Sequence, residues 1–131
     1  MKLLIVLQNA YGVEDGYIPS YERESFCKCY TGIRLKEVIP DNADIKIINS
    51  NPSIGIKSDS YFKPDVDYVK TEIGKFAPKV ILFCGRNGKI LMEEISFNKS
   101  IHMPHPAYRA LSKKMTAEIK DRIVQASPIK P

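Results

Sequence analysis

The sequence predicts a single domain over residues 1–131, of three-layer α/β/α class, built on a short four-stranded parallel β-sheet. Three observations predict it. Two unbroken apolar runs, residues 2–7 (KLLIVL) and 79–84 (KVILFC), have strand length and are apolar on both faces, as the central strands of a parallel sheet are. Strand-like and helix-like segments alternate along the chain, and right-handed crossovers then place helices over both faces of the sheet. The chain has the size of one domain that buries a core without disulfides or metal.

The first strand, 2–7, ends at Gln8-Asn9. A long irregular stretch, 10–30, carries Gly12, Gly16 and Pro19, and a short helix over 31–38 opens at Thr31 as its N-cap. Residues 44–48 (DIKII) read as the second strand, stopped by Asn49-Ser50-Asn51-Pro52. No period is evident over 50–64. Apolar residues at Val66, Val69, Ile73 and Phe76 share one helix face, so 65–76 reads as a helix ended before Pro78. The third strand, 79–84, leads through a Gly85-Arg86-Asn87-Gly88 turn to a helix over 89–95. A fourth strand, 100–103, passes through Pro104-His105-Pro106 into the longest helix, 107–126, with a frayed tail at 127–131. The two most apolar strands, first and third, belong side by side at the centre. The chain reverses direction between them, which opens a ligand crevice at the carboxyl ends of the strands. Segments 8–16, 49–53, 85–88 and 104–111 are expected around it.

No apolar run reaches the roughly 18 residues needed to cross a bilayer, and the first strand is too short for a secretory signal. A cytoplasmic protein without membrane contact is expected, and three cysteines, with no disulfide framework, fit a reducing compartment. The net charge of +5 lies entirely in residues 99–131, where Lys99, Arg109, Lys113, Lys114, Lys120, Arg122 and Lys130 face only Glu118 and Asp121. A polyanion would be attracted to that end, although a solvated terminal helix would carry the same charge.

The fingerprints of a phosphate-binding Walker loop, a dinucleotide fold or a hydrolase elbow are absent. Cys27-x-Cys29 and His102-x-x-His105 offer four zinc-type ligands, but neither has the C-x-x-C spacing, so no metal and no cofactor is expected. Asn9 and His105 stand out by position: each follows a strand at the carboxyl edge, where polar side chains converge on a pocket.

With those loops in view, the chain resembles the uracil-DNA glycosylase superfamily, in order along nearly its whole length. Leu7-Gln8-Asn9-Ala10-Tyr11 follows the first strand where the family has G-Q-D-P-Y or G-I-N-P-G. Ile47-Ile48-Asn49 stands where the family places a recognition asparagine, and His105-Pro106-Ala107 matches its last motif, H-P-S or H-P-A. Thr31-Gly32-Ile33-Arg34-Leu35 is similar to the helix start S-G-x-x-L. The chain departs from the pattern at Leu7, where glycine is usual, and at Ala10, where proline is usual. It also lacks the cysteine set of the iron-sulfur branches. Asn9 is an amide where the fastest branch has a carboxylate, and loss of a general base costs about 10²- to 10⁴-fold in rate.

The resemblance implies a monofunctional DNA glycosylase, a monomer acting on single- or double-stranded DNA, that flips a uracil or modified pyrimidine out of the stack and hydrolyses its N-glycosidic bond. Asn9 would hold the attacking water and His105 would stabilise charge on the departing base. Gln8 and Asn49 would contact the base, Tyr11 would close the pocket at the pyrimidine 5-position, and Phe26 would stack. Pro106, Ala107, Tyr108, Arg109, Lys113 and Lys114 would meet DNA, with the helix start at 107–109 against phosphate and Tyr108, Arg109 or Leu111 entering the gap in the duplex. The rivals are a binding module that has lost the chemistry, an enzyme acting on free nucleotides or nucleosides, and a flavodoxin-like protein of unrelated function.

Overall fold

The computed structural model describes residues 1–14, 17–56 and 61–126, and of Tyr11 the backbone alone. Its elements run β1 (Lys2–Leu7), β2 (Ala10–Tyr11), α1 (Glu24–Lys28), α2 (Tyr30–Lys36), β3 (Asp44–Asn49), β4 (Ile54–Gly55), α3 (Val66–Phe76), β5 (Val80–Cys84), α4 (Gly85–Glu94), β6 (Ser100–Met103) and α5 (Lys113–Ala126). Four strands form one parallel sheet in the order β3-β1-β5-β6, so the two most apolar strands are central neighbours. The register pairs Leu7 with Asn49, which places the ends of β1 and β3 side by side.

Strand alternation divides the core in two. Leu3, Ile5 and Leu7 pack with Phe26, Leu35, Val38, Ile119 and Ile123, so α1, α2 and α5 cover one face. Leu4 and Val6 pack with Val69, Phe83, Leu91 and Ile95, so α3 and α4 lie on the other. Helices flank both faces of an all-parallel sheet, the α/β/α class expected. Each fully buried aliphatic side chain contributes about 1.5–3 kcal/mol, so this double burial fixes which residues of β1 and β5 face each layer. At the outer strand β3, Lys46 Nζ reaches Glu72 Oε2 of α3 at 2.7 Å.

Several boundaries differ from expectation, for physical reasons. The stretch before residue 31 is not wholly irregular, because Phe26 enters the core and winds α1 around itself. Cys29, not Thr31, caps α2, its Sγ accepting the Gly32 N–H at 3.3 Å. The two helices meet so closely that a Cβ on Gly32 would lie 2.0 Å from the Phe26 carbonyl oxygen, which only glycine permits. α4 starts directly at Gly85 rather than after a turn at 85–88, with Asn87 and Gly88 buried in its first turn. The last helix starts at Lys113 rather than 107. Turns at 105–111 carry the buried Leu111 into the core, and only then does Ser112 Oγ accept the Met115 N–H at 3.2 Å to open α5. A short pairing of β2 with β4 joins the loops after β1 and β3, where no strand was expected. The tail at 127–131 lies outside the described residues. Among the described residues no helix is long and apolar enough to cross a membrane.

Candidate active site

A cavity of about 520 Å³ opens at the carboxyl ends of β1 and β3. Gln8, Asn9 and Ala10 leave β1 along its floor, and Asn49 enters from the end of β3. Phe26, Cys29, Tyr30 and Thr31 form the wall supplied by α1 and α2, while His105 and Ala107 close the side beyond β6. Val13, Tyr17 and Pro19 complete the lining from the long first loop. The volume falls in the range of small-molecule sites, which run from about 300 to 1,000 Å³.

Asn49 is 8% exposed, and its amide makes no hydrogen bond among the described residues. Its Oδ1 and Nδ2 are not enclosed, so water or a ligand in the cavity can reach both. Its donor and acceptor are therefore available to a ligand in the cavity. Asn9 enters from the neighbouring end of β1, its Nδ2 donating to the Ala10 carbonyl at 3.2 Å.

His105 Nδ1 accepts the Ala107 N–H at 3.1 Å, so in the neutral ring the proton resides on Nε2. Burial holds its pKa below the ordinary histidine value, which favours that neutral form. Behind it lies Gly85, whose φ of +73° suits glycine and whose added Cβ would lie 3.5 Å from that of His105. His102 Nε2 donates to the Gly85 carbonyl at 2.8 Å, holding this backing in place. No three His, Cys, Asp or Glu side chains converge on a metal position among the described residues.

A second polar cluster braces the site. The fully buried Ser50 donates through Oγ to the Gln8 carbonyl at 2.6 Å, and its N–H reaches the Leu7 and Gln8 carbonyls. Asn87 Nδ2, on α4, donates to Ser50 Oγ at 2.9 Å and to the Phe62 carbonyl at 2.9 Å, while its Oδ1 accepts from the Tyr61 hydroxyl. Ser50 thus ties together the two strand ends that carry Asn9 and Asn49.

Of the residues expected at the site, Gln8, Asn9, Phe26, Asn49, His105 and Ala107 line one cavity. The Tyr11 side chain lies outside the described residues. Pro106 is buried, whereas Tyr108, Arg109, Lys113 and Lys114 are exposed beside the site. Three expectations are corrected. Residues 107–109 are not a helix N-terminus, because the helix starts at Lys113, and Leu111 is too deeply buried to enter a duplex. Segment 85–88 does not line the cavity and instead supports His105 and Ser50 from behind. Sequence reading passed over Tyr17, Cys29 and Tyr30 as lining residues. Only their place in a loop after β1 pointed to them.

Comparison with models of known protein families, with curated proteins and with solved structures finds no match to this chain. Fold and site together define an α/β/α protein with a half-open, amide- and imidazole-bearing pocket at the strand ends.

Proposed function

We propose that the chain is a DNA glycosylase of the uracil-DNA glycosylase type, hydrolysing the N-glycosidic bond of uracil or a modified pyrimidine that has been flipped out of the stack. The observation that carries this reading is a single one: Asn9, Asn49 and His105, far apart in sequence and expected at the site on their motifs, line one cavity. Asn49 offers a donor and an acceptor side by side, the pattern that reads an imide or amide edge of a base. His105, neutral with its proton on Nε2, donates to the base oxygen as the glycosidic electrons move onto the ring. Asn9 orients water toward the sugar carbon. Water then adds to that carbon, its proton is released, and the base leaves as an anion that is protonated afterwards.

The test is incubation with oligonucleotides carrying uracil, mismatched thymine or modified pyrimidines, followed by alkali cleavage and mass analysis of free base. His105→Ala should lower turnover about 10²- to 10³-fold while strand affinity stays near that of the parent. Equal losses in turnover and affinity would make His105 a structural residue and remove the assignment. A non-catalytic binding module of the same fold is favoured by one observation: the residue in the water-holding position is an amide, which cannot act as a general base. Strand binding with no base release from any oligonucleotide would select that second reading.

A further inference from the structure

Three large side chains stand out beside the cavity mouth because they are only half covered: Tyr30 (50% exposed), Ile33 (52%) and Tyr108 (53%). Tyr30 and Ile33 are one turn apart on α2, and Tyr30 lines the cavity. Tyr108 follows Ala107, which lines the cavity from the other side. The guanidinium of Arg34 joins the two elements. It donates to the Tyr30 hydroxyl at 2.7 Å and, through another nitrogen, to the Leu111 carbonyl; the Leu111 N–H in turn donates to the Tyr108 carbonyl at 3.1 Å. Arg34 also lies 5.5 Å from the centre of the Tyr30 ring, so that ring is held in position.

The charge around these rings is one-sided. The carboxylates on α1 and at the cap of α2 are engaged internally, Glu24 with Lys28 and Glu37 with Arg34. Arg109, Lys113 and Lys114, exposed on the loop and first turn beyond Tyr108, make no ion pair among the described residues. Exposed aromatic rings flanking a pocket, next to cations engaged in no ion pair among the described residues, complement a polyanion whose bases are free to stack. A duplex keeps its bases stacked on one another and offers these rings no partner.

We infer that the rim formed by Tyr30, Ile33 and Tyr108 is a stacking platform for single-stranded nucleic acid, holding the bases on either side of the one that enters the cavity. The inference rests on the proposed reading of the cavity as a nucleobase site and adds the strand form it takes. Arg109, Lys113 and Lys114 bind the phosphates of the same strand.

Fluorescence anisotropy with a labelled DNA strand about 15 nucleotides long and free of any candidate target base, compared with its duplex over a range of salt, tests this. The single strand binds more tightly than the duplex at every salt concentration. Tyr30→Ala and Tyr108→Ala each weaken strand binding roughly 5- to 150-fold with little change in salt slope, and Tyr30→Phe and Tyr108→Phe retain most of the affinity. Lys113→Ala does the reverse, making the slope shallower by about 0.7. Thermal unfolding checks Tyr30→Ala, which loses the bond to Arg34; should that variant misfold, Tyr108→Ala alone decides.

Equal or tighter duplex binding, or a Tyr108→Ala variant that binds the strand normally, overturns the platform. So does concentration-dependent self-association abolished by Tyr108→Ala, which would make the patch a protein interface. Because the probe carries no target base, the two claims separate. Tyrosine-dependent strand binding without base release from any oligonucleotide keeps the platform and removes the glycosylase, and base release that ignores both tyrosines does the opposite.

Discussion

Asn49 and Ser50 are neighbours in sequence and nearly equal in burial, yet they end in opposite chemical situations. Ser50 is engaged at every polar atom: its hydroxyl, its N–H and its carbonyl, which accepts the Asp65 N–H at 2.8 Å, all have protein partners. The Asn49 amide faces the cavity with no protein partner among the described residues. Alternation along a strand accounts for the geometry, since consecutive side chains leave on opposite sides. The energetic lesson is that polarity and burial together do not separate support from recognition. What separates them is whether the protein itself completes the hydrogen bonds. A satisfied cluster holds the strand ends, whereas an amide open to the cavity can exchange water for a ligand.

The strongest way to break this comparison is to remove the hub of the satisfied cluster. Asn87→Ala deletes three hydrogen bonds and leaves Ser50 Oγ, the Phe62 carbonyl and the Tyr61 hydroxyl to find other partners. Unsatisfied buried groups cost about 1–3 kcal/mol each, and alanine recovers only a few tenths through helix propensity. Urea unfolding should show a loss of about 3 kcal/mol. A loss under about 1 kcal/mol would mean that water replaces the network without strain. Ser50→Ala comes next, at about 2 kcal/mol, because the backbone bonds of Ser50 survive while its hydroxyl bonds to Gln8 and Asn87 do not.

Protonation sharpens the comparison from the other side of the cavity. Burial lowers the pKa of His105, so the unfolded chain takes up a proton on this residue at a higher pH than the folded one. The stabilisation from keeping the ring neutral is complete above the ordinary value of 6.5 and is lost as pH falls below it, toward the lowered folded value. The slope from this group is at most about 1.4 kcal/mol per pH unit. Urea midpoints between pH 8 and pH 5 should therefore fall more steeply for the parent than for His105→Gln. Parallel curves would place the imidazole in contact with solvent.

The sheet was readable because its determinants are local. KLLIVL and KVILFC bury both faces, and their apolarity alone put β1 beside β5. Asn9 and His105 were readable because each follows a strand, and strand ends in a parallel sheet share one edge; Asn49, the last residue of β3, was expected only from the resemblance. The start of α5 was not readable. Residues 107–112 suit a helix locally, but burying Leu111 and tying its carbonyl to Arg34, 77 positions away, holds them in turns. The Ser50–Asn87 pair escaped for the same reason, its partners being 37 positions apart. Within the G-R-N-G segment, Asn87 looks like a turn residue until the fold brings Ser50, just beyond β3, against it. Cys29 as a helix cap was hidden because a thiol is a weak acceptor, chosen here only by the close approach of α1 to α2.

The smallest expected effect is the most diagnostic one. Asn49→Ala removes a polar side chain that is more than nine-tenths buried, a change that would ordinarily be expected to destabilise. No protein hydrogen bond is lost, however, because the amide makes none among the described residues. The substitution opens into an existing cavity rather than creating a sealed void, so the cavity penalty is small as well. Its polar atoms open to the cavity, where water reaches them, so removing them leaves no enclosed group unsatisfied. Stability in urea should therefore stay within about 0.5 kcal/mol of the parent, against about 2 kcal/mol for Ser50→Ala one position along. Recognition should move the opposite way. Loss of the amide leaves a bound base edge without its donor and acceptor, and affinity for a strand carrying the target base should fall roughly tenfold or more, each factor of ten being about 1.4 kcal/mol. The same loss should be absent for a strand without the target base. An Asn49→Ala protein that unfolds as readily as Ser50→Ala would show that the amide is part of the scaffold, and the distinction between the two neighbours would fail.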